Sequence, residues 1–332
     1  MLGTGMDRIL LSHGGGGRKT EELIKEVFHK YIDDPLIKCM DDGALIDDLV
    51  FTTDSFVVNP IFFPGGDIGR LAVSGTVNDL CVMGAKPLYL SIGFIIEEGF
   101  EIKNLEKILK SIKDSVDEVG MRIVTGDTKV VEKGKGDGMF INTSGIGRVV
   151  FKNVPSLKRI TEGDLVIING PIGLHGISVI LARESFGLEA EVYSDVIPLW
   201  SLIEELKDFN VKFMRDPTRG GVAQVFNEMV KGQNFGIEIW EDKIPVTEKV
   251  TAVCDILGFD PLYIANEGKV IIVVSEQDAE KVLEKMRSNS LGQKAEIVGR
   301  IIDKPDIVVL KTTFGSERIV MPPIGEVLPR IC

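Results

Sequence analysis

The 332-residue chain is 44% hydrophobic, so it can bury a large core and is long enough for about two domains. Its 38 basic and 50 acidic side chains give a formal charge of −12, which would repel the phosphate backbone of a nucleic acid. The start, MLGTGMDRIL, lacks the pattern of a signal peptide, and no stretch approaches about 18 uncharged apolar residues. We therefore expect neither a nucleic-acid partner nor a membrane span.

Elements of helical and strand character alternate along a predicted N-terminal domain, residues 1–152. A glycine-rich loop at 12–20 precedes a predicted helix in EELIKEVFHKYI. The segments that follow are predicted as a strand at 49–58, a helix at 66–85, a strand at 87–96, a helix at 104–120, and strands at 121–127 and 139–150.

The segment NVPSLKRITEGD carries a proline and a charged turn, and it marks the predicted start of a C-terminal domain, residues 153–312. The predicted elements of this domain are strands at 165–170, 270–275 and 306–313, and helices at 176–187, 196–208, 219–232 and 277–288. From residue 313 to residue 332 the periodicity is lost, which predicts a mobile tail. Helices and strands mixed in two domains indicate an α+β fold.

The glycine-rich loop SHGGGGRKT is not a nucleoside-triphosphate P-loop. That motif needs glycine at both ends of a six-residue window directly before Lys and Thr, whereas His13 and Arg18 occupy those two positions here. The run of glycines is compatible with a mobile flap over a site or with a simple linker. No complete GxGxxG motif occurs, since GIGRVV lacks the third glycine, so a dinucleotide site has no support.

Aspartates beside small residues form the strongest chemical signal. They are Asp41, Asp42, Asp54, Asp79, Asp127 and Asp216. A single aspartate at a turn is usually a cap or an Asx-turn. Several such residues together are typical of a Mg²⁺ site, because Mg²⁺ prefers oxygen ligands and can bridge carboxylates to a triphosphate. Lys129 would add a positive charge for the same anion.

Several motifs resemble the HypE family of hydrogenase maturation proteins. The similarity extends from about residue 7 to the last residue, and the motifs are HGGGGRKTEELI, DDGALI, TTDSFVVNPIFFPGGDIGRLAVSGTVNDLCVMGA, TGDTKVV, DPTRGG, ANEGK and PRIC. The aspartate pattern and DPTRGG also resemble the wider ATP-using superfamily of aminoimidazole ribonucleotide synthetase, selenophosphate synthetase and thiamine monophosphate kinase. Gly15 stands where the family commonly has Ser, so a hydroxyl contact is absent at that position.

The resemblance implies a fold and a reaction. It implies a two-domain fold like that of aminoimidazole ribonucleotide synthetase, a homodimer, and ATP bound in clefts between subunits. The carbamoyltransferase HypF would place a carbamoyl group on the thiol of Cys332, and ATP with Mg²⁺ would drive its dehydration to a thiocyanate. The cyanide would then pass to iron on the HypC–HypD complex for a NiFe hydrogenase.

The resemblance also implies roles for individual residues. Metal binding is expected at Asp42, Asp54, Asp79 and Asp216. Nucleotide contacts are expected at these carboxylates, at Asp127 and Lys129, and at Gly14, Gly16 and Gly17 in the flap. Lys129 and Glu267 correspond to a pair next to the modified cysteine, where Glu267 would assist amide deprotonation and Lys129 would stabilise the phosphorylated oxygen. A structural ion pair is the alternative for these two residues.

The position of Cys332 fits a carrier thiol. The segment from Met321 to Cys332 can span roughly 35 to 40 Å, and its prolines disfavour a helix, so the thiol could visit several sites in turn. Cys81, among apolar helical positions, is predicted to be a core residue, and the same is predicted for Cys39 and Cys254. The absence of a CxxC pair favours a reducing, cytoplasmic compartment.

Two other functions stay open at this point. One is a superfamily kinase or synthetase that acts on a free small molecule, which would give the thiol of Cys332 no role. The other is a non-enzymatic, ATP-binding docking subunit whose tail is a recognition peptide. Modification of Cys332 would exclude the first, and ATP turnover with formation of carbamoylated protein would exclude the second.

Overall fold

The computed structural model describes residues 8–183, 190–323 and 328–332. Parts of the predicted helix at 176–187 and of the predicted tail at 313–332 lie outside these ranges. None of the helices in the described ranges combines the length and the apolar character that a bilayer crossing requires. The N-terminal half contains the elements α1 (Arg18–Glu26), α2 (Pro35–Lys38), β1 (Ala44–Ile46), β2 (Leu49–Phe56), β3 (Phe62–Phe63), β4 (Gly66–Asp67), α3 (Ile68–Val82), β5 (Ala85–Glu97), α4 (Ile102–Val119), β6 (Arg122–Val131) and β7 (Met139–Val149).

The C-terminal half continues the alternation of helices and strands. Its elements are β8 (Leu165–Ile168), α5 (Leu174–Leu181), α6 (Trp200–Glu204), β9 (Phe213–Arg215), α7 (Gly221–Val230), β10 (Gly236–Trp240), α8 (Glu248–Leu257), β11 (Ile271–Val274), α9 (Glu276–Ser288), β12 (Glu296–Ile302), β13 (Val308–Lys311) and β14 (Glu317–Ile319). The α+β class is confirmed, and β14 corrects the expectation that no regular element follows residue 313.

The N-terminal sheet has the strand order β1-β2-β7-β5-β6, in which only the β5–β6 pair is parallel. Its inner face is covered by α3, a helix with almost every residue buried. Asp67 caps the start of α3 by accepting hydrogen bonds from the backbone N–H groups of Gly69 and Arg70. Gly69 allows α4 to approach closely, because a Cβ there would lie 2.7 Å from the carbonyl oxygen of Ile108.

The outer face of the N-terminal sheet is open to solvent. Cross-strand pairing places Phe51, Ile146 and Tyr89 in one row, and these side chains are 42%, 36% and 40% exposed. The edge strand β6 is exposed along almost its whole length, including Val130 at 67%. An apolar row and an unpaired edge on one sheet are typical of a surface that another chain covers.

The C-terminal sheet has the order β14-β13-β10-β12-β8-β11-β9 and is covered on both faces. Alternate residues of its central strands therefore face different cores, as in β11, where Ile272 packs in the larger core and Ile271 in the smaller one. This double burial explains why VIIVVS is a continuous apolar run. The larger core continues from Val50 to Ile331, so one apolar interior joins the two halves.

The last five residues lie against the chain segment that follows β2. The backbone N–H of Val57 donates to the carbonyl oxygen of Cys332 at 3.2 Å, and that of Asn59 donates to Arg330 at 3.1 Å. Leu328 and Ile331 are buried in the larger core. The tail is docked in this structure, and its mobility stays a prediction.

Candidate active site

Three aspartates from separate elements meet at the junction of the two halves. Asp42 precedes β1, Asp79 lies near the end of α3, and Asp216 directly follows β9. One carboxylate oxygen from each lies within 4.8 Å of those of the other two. Asp42, Asp79 and Asp216 are three of the four residues expected to bind a metal ion, and that role stays a prediction.

Asp79 is fixed by a hydroxyl of the neighbouring strand. The Thr52 side-chain oxygen, on β2, lies 2.8 Å from Oδ2 of Asp79 and 2.8 Å from the backbone carbonyl of Asp42. Thr52 has one hydroxyl hydrogen, so it can donate to only one of these oxygens at a time. It is 5% exposed and ties the helix, the strand and the Asp42 loop together.

Asp42 is held by Arg215, the residue immediately before Asp216. Nε of Arg215 lies 3.0 Å from each carboxylate oxygen of Asp42, and its guanidinium also donates to the Met40 carbonyl at 2.9 Å. Burial alone would lower the pKa of Arg215, but the carboxylates of Asp42 and Glu228 raise it above its usual value. The guanidinium is therefore a permanent cation that orients one member of the cluster.

The three aspartates are close together and are buried or half-buried, and both conditions disfavour their ionised forms. Burial, followed by repulsion from Asp42, raises the pKa of Asp216 to about 8. Burial and the carboxylate of Asp216 raise the pKa of Asp79 well above its usual value, and burial also raises the pKa of Asp54. Oxygen donors that repel one another at these separations fit a hard divalent cation such as Mg²⁺.

The aspartates line a cavity of about 210 Å³ that also contains a thiol and a further carboxyl group. The lining residues are Asp42, Thr52, Thr53, Asp54, Gly75, Asp79, Asp216, Thr218, Arg219, Glu267 and Cys332. Asp54 borders the cavity, although it is outside the group of three that lies within 4.8 Å. The docked tail thus places Cys332 beside the predicted metal ligands.

Among the carboxyl groups that line the cavity, Glu267 has the environment expected of a catalytic base. It is 2% exposed, and its Oε1 has no hydrogen-bond partner among the described residues. Burial, then the carboxylates of Asp216 and Asp54, raise its pKa well above 4.5. Its backbone is anchored, since its N–H donates to Oδ1 of Asp195 at 3.2 Å and its carbonyl accepts from Asn78 at 3.2 Å.

Arg219 is a site residue that the sequence reasoning did not select, although its motif DPTRGG was recognised. Of the described residues that line the cavity, it is the basic one. Its Nη1 donates to the carbonyl of Gly14 at 2.8 Å, and a Cβ on Gly16 would lie 3.1 Å from its own Cβ. Arg219 therefore links the glycine-rich loop to the cavity, which favours the flap over the linker.

Gly17, the third predicted flap residue, meets the tail rather than Arg219. A Cβ on Gly17 would lie 2.8 Å from the carbonyl oxygen of Pro323. Only a glycine therefore leaves room for the backbone of residue 323 at this contact.

Asp127 and Lys129 do not reach the cavity within one chain. They lie on β6, are 67% and 68% exposed, and pair with each other at 2.7 Å. Register places one row of the sheet through Asp54, Thr143, Ile92 and Gly126. The next row passes through Ser55, Asn142, Gly93 and Asp127.

Neighbouring rows of a sheet point to opposite faces, so Asp127 and Lys129 project from the face opposite to that of Asp54. Two strands also separate β6 from β2, which is roughly 14 Å at the usual spacing. Glu267 and Cys332 line the same cavity, whereas Lys129 of the same chain lies outside it. The ion pair of Lys129 is with Asp127, not with Glu267.

The other cysteines have separate environments. Cys81 and Cys254 are buried, as predicted for core residues. The prediction that Cys39 is a core residue is wrong, because it caps the short helix α2 in an exposed segment and its thiol donates only to the nearby carbonyl of Pro35. Cys332 is half-buried, between these extremes.

The chain is similar to known proteins in both sequence and structure. Two sequence-family models match, "AIR synthase related protein, N-terminal domain" at residues 40–149 and its C-terminal domain at residues 161–311. The "Carbamoyl dehydratase HypE" of Rhizobium leguminosarum bv. viciae is 44% identical, over 98% of this chain and 95% of that protein.

Two crystal structures are similar over nearly the whole chain. One, of a HypE–HypF complex, has a TM-score of 0.88 and 50% identity, over 91% of this chain and 99% of that one. The other, of HypE in complex with ATP, has a TM-score of 0.82 and 41% identity, over 98% of this chain and 100% of that one.

Proposed function

Because this chain belongs to the HypE family of carbamoyl dehydratases, we propose that it carries a carbamoyl group on Cys332 and dehydrates it with ATP to a thiocyanate. The observation that carries this proposal is the position of Cys332, which lines the same cavity as the aspartate cluster and Glu267. The product would supply the cyanide ligand for the iron of a NiFe hydrogenase. The protein thus acts in hydrogenase maturation.

The reaction balances as loss of water from a thiocarboxamide. The group S–C(=O)–NH₂ and ATP give S–C≡N, ADP, phosphate and a proton. The amide oxygen is a poor leaving group, so phosphorylation of that oxygen converts it into one that departs as phosphate. The two N–H protons leave the nitrogen, and a nearby base has to accept at least one of them.

Glu267 is suited to accept that proton. A buried carboxyl group with a raised pKa is a stronger base than an ordinary carboxylate, and general bases work best with a pKa near the operating pH. The positive charge of Mg²⁺ bound with the nucleotide would favour the ionised form of Glu267. Its free Oε1 leaves an acceptor available for the amide.

Asp42, Asp79 and Asp216, with Asp54 beside them, would hold Mg²⁺. The ion, when bound, would offset the charge of these carboxylates and allow the triphosphate to lie near them. Arg215 keeps Asp42 oriented in that set. Arg219, which lines the same cavity, would supply a cation for the oxygen that becomes phosphorylated.

The flap of Gly14, Gly16 and Gly17 would cover the nucleotide, since Gly14 already contacts Arg219. A HypE structure of 41% identity was crystallised with ATP, which supports the same nucleotide here. HypF is proposed as the carbamoyl donor, because a HypE of 50% identity forms a complex with HypF. The HypC–HypD complex is proposed as the acceptor of the cyanide.

We also propose a homodimer built on the outer face of the N-terminal sheet. The row of Phe51, Ile146 and Tyr89 gives that face an apolar centre, and pairing would cover it. Asp127 and Lys129 project from this same face. A dimer would let these two residues serve the nucleotide site of the partner subunit, where a single chain cannot place them.

Intact-mass spectrometry tests the function directly. The protein is incubated with HypF and its carbamoyl donor, first without and then with ATP. We expect a carbamoyl adduct on Cys332, followed by loss of one water when ATP is added. If ATP is consumed with a free small molecule while Cys332 stays unmodified, the protein is a superfamily kinase or synthetase instead. If neither the adduct nor ATP turnover appears, the protein is a docking subunit.

A further inference from the structure

A buried histidine contacts the backbone directly before Cys332. His175, near the start of α5, is 0% exposed, and its two ring nitrogens both lie at hydrogen-bond distance from an oxygen. Nε2 is 2.8 Å from the carbonyl oxygen of Ile331, and Nδ1 is 2.8 Å from the hydroxyl oxygen of Ser194. The ring also packs edge-on against Phe63, with centroids 5.3 Å apart.

The hydrogen bonds around His175 define its tautomer. The Ile331 carbonyl can only accept, so Nε2 must carry the hydrogen. The neutral ring then accepts at Nδ1 from the hydroxyl of Ser194. Oγ of Ser194 in turn accepts from the backbone N–H of Val196 at 3.0 Å, which leaves its own hydrogen directed to the ring.

The rest of the tail is held by contacts that do not depend on this histidine. The guanidinium of Arg183 donates to the carbonyls of Pro329 and Arg330 at 2.6 and 2.7 Å. Arg330 donates to the carbonyl of Val57 at 2.9 Å. The acceptor of His175 belongs to the peptide unit that joins Ile331 to Cys332. His175 is therefore the side-chain donor at the end of the tail, beside the backbone N–H of Val57, which donates to the carbonyl oxygen of Cys332 at 3.2 Å.

From this geometry we infer that His175 is a positioning residue that holds Cys332 in the cavity, with Ser194 fixing the tautomer that can donate to the tail. Loss of the donor leaves the Ile331 carbonyl buried without a partner in the docked position, whereas the undocked tail exposes that carbonyl to water. The docked population falls as a result. Carbamoyl loading, which needs the thiol to leave the cavity, keeps its rate, while dehydration slows.

The inference rests on the proposed function for the role of Cys332, so its main test needs neither ATP nor a carbamoyl donor. The alkylation rate of each cysteine by iodoacetamide is followed by intact mass and peptide mapping in the full-length protein. Cys39 is exposed and reports reagent activity, while Cys81 and Cys254 are buried and report unfolding. Only the rate at Cys332 reports docking.

Four variants separate the hydrogen bond from general damage. His175→Phe removes both nitrogens, and Ser194→Ala removes the hydroxyl that fixes the tautomer. His175→Gln keeps an N–H donor at a similar reach. Ser178→Ala is the matched control, because Ser178 lies on the same helix, is equally buried, and donates to the Pro64 carbonyl at 2.7 Å without contacting the tail.

We expect His175→Phe to raise the alkylation rate of Cys332 at least several-fold, with Cys39 unchanged and Cys81 and Cys254 unlabelled. Ser194→Ala should have the same effect to a smaller degree, and His175→Gln should restore most of the protection. Ser178→Ala should match wild type. In the presence of HypF and ATP, His175→Phe should accumulate the carbamoyl adduct.

If Cys332 is alkylated at the wild-type rate in both His175→Phe and Ser194→Ala, the inference is wrong. If His175→Phe also exposes Cys81, the substitution has damaged the core, and Ser194→Ala then decides alone. Should Cys332 never acquire a carbamoyl group in wild type, the proposed function fails while the alkylation result still stands or falls by itself.

Discussion

Glu267 shows how far a residue's chemistry depends on its surroundings. The motif ANEGK singled it out in the sequence, but its burial and its unpartnered Oε1 come from elements far away along the chain. Burial first, and then the carboxylates of Asp216, Asp54 and Asp195, raise the pKa of Glu267, so its proton is held more tightly than in a peptide. The same surroundings make Glu267 a useful base.

Glu267→Gln should therefore slow dehydration by about 100-fold or more, the usual loss when a general base is removed, while carbamoyl loading continues. Glutamine has nearly the same shape and needs no charge, so the fold should be kept. The measurement is single-turnover conversion of carbamoylated protein, followed by mass. Glu248→Gln, at an exposed position on α8, is the control and should convert at the wild-type rate.

The raised pKa of Asp216, about 8, predicts how stability depends on pH. An aspartate in the unfolded chain has a pKa of about 3.9. Between this pH and the folded-state pKa of about 8, the folded state binds more protons than the unfolded state. Stability from this group is complete below the unfolded pKa and is lost as the pH rises through about 8.

Without divalent cations, the free energy of unfolding should fall as the pH rises through this window. Added Mg²⁺ should stabilise the protein more at alkaline than at acidic pH. Thermal unfolding with Mg²⁺ or with a chelator, at several pH values, measures this. Asp216→Asn should flatten the difference, and an equal effect of Mg²⁺ at every pH would contradict the assignment of the cluster.

The strands and helices differ in how much of them the sequence could predict. Helix α3 and strand β11 are long or uniformly apolar, and both were located to within a few residues. Strand β10 was missed because Glu238 interrupts its apolar pattern. Arg300 on β12 and Lys311 on β13 pair with Glu238 at 3.0 and 2.8 Å, and only the finished sheet reveals these partners.

The helix predicted at 196–208 is shorter in the structure, Trp200–Glu204, and residues 205–208 form turns although their apolar spacing is helical. The site shows a similar limit. The sequence predicts metal binding for four aspartates, and carboxylate oxygens of three of them lie within 4.8 Å of one another. The position of Lys129 on the opposite face of the sheet follows from register, which no local pattern specifies.

Strand β7 provides a test of the proposed dimer. Ile146 lies at the centre of the apolar row on the outer face and is 36% exposed. Ile146→Glu should leave the subunit folded, because the side chain is on the solvent face, but should convert a dimer into a monomer by sedimentation at micromolar concentration. Dehydration should fall with it.

The control is Ile256→Glu, since Ile256 is 67% exposed on α8 in the other half of the molecule. It should sediment like wild type. A wild-type protein that is already monomeric, or an Ile146→Glu variant that remains dimeric, would show that this face is not the interface.

The larger core joins the two halves and the tail into one packed unit. Ile331 is 3% exposed in that core, whereas Cys332 next to it is half-buried and reaches into the cavity. Packing and reactivity are thus divided between adjacent residues. The tail can be docked by Ile331 while the thiol stays available for chemistry.

Cys332→Ala should abolish the adduct and change the free energy of unfolding by less than about 1 kcal/mol, because the substitution removes one partly exposed sulfur. Ile331→Ala should still acquire the adduct on Cys332 but should undock the tail. An added thiol reagent should then remove the adduct from Cys332 faster than in wild type. Calorimetry and intact mass measure the two effects. Any carbamoyl adduct on Cys332→Ala would identify another carrier.

The placement of Lys129 on the outer face of the sheet has a genetic consequence. If each nucleotide site joins Glu267 of one subunit to Lys129 of the other, two defective alleles can rescue each other. Chains carrying Lys129→Ala and chains carrying Glu267→Gln would each be inactive alone, yet a mixed dimer contains one intact site. Random pairing would restore about a quarter of the wild-type dehydration in cells that express both alleles. No recovery in such cells would mean that Lys129 serves its own subunit or none.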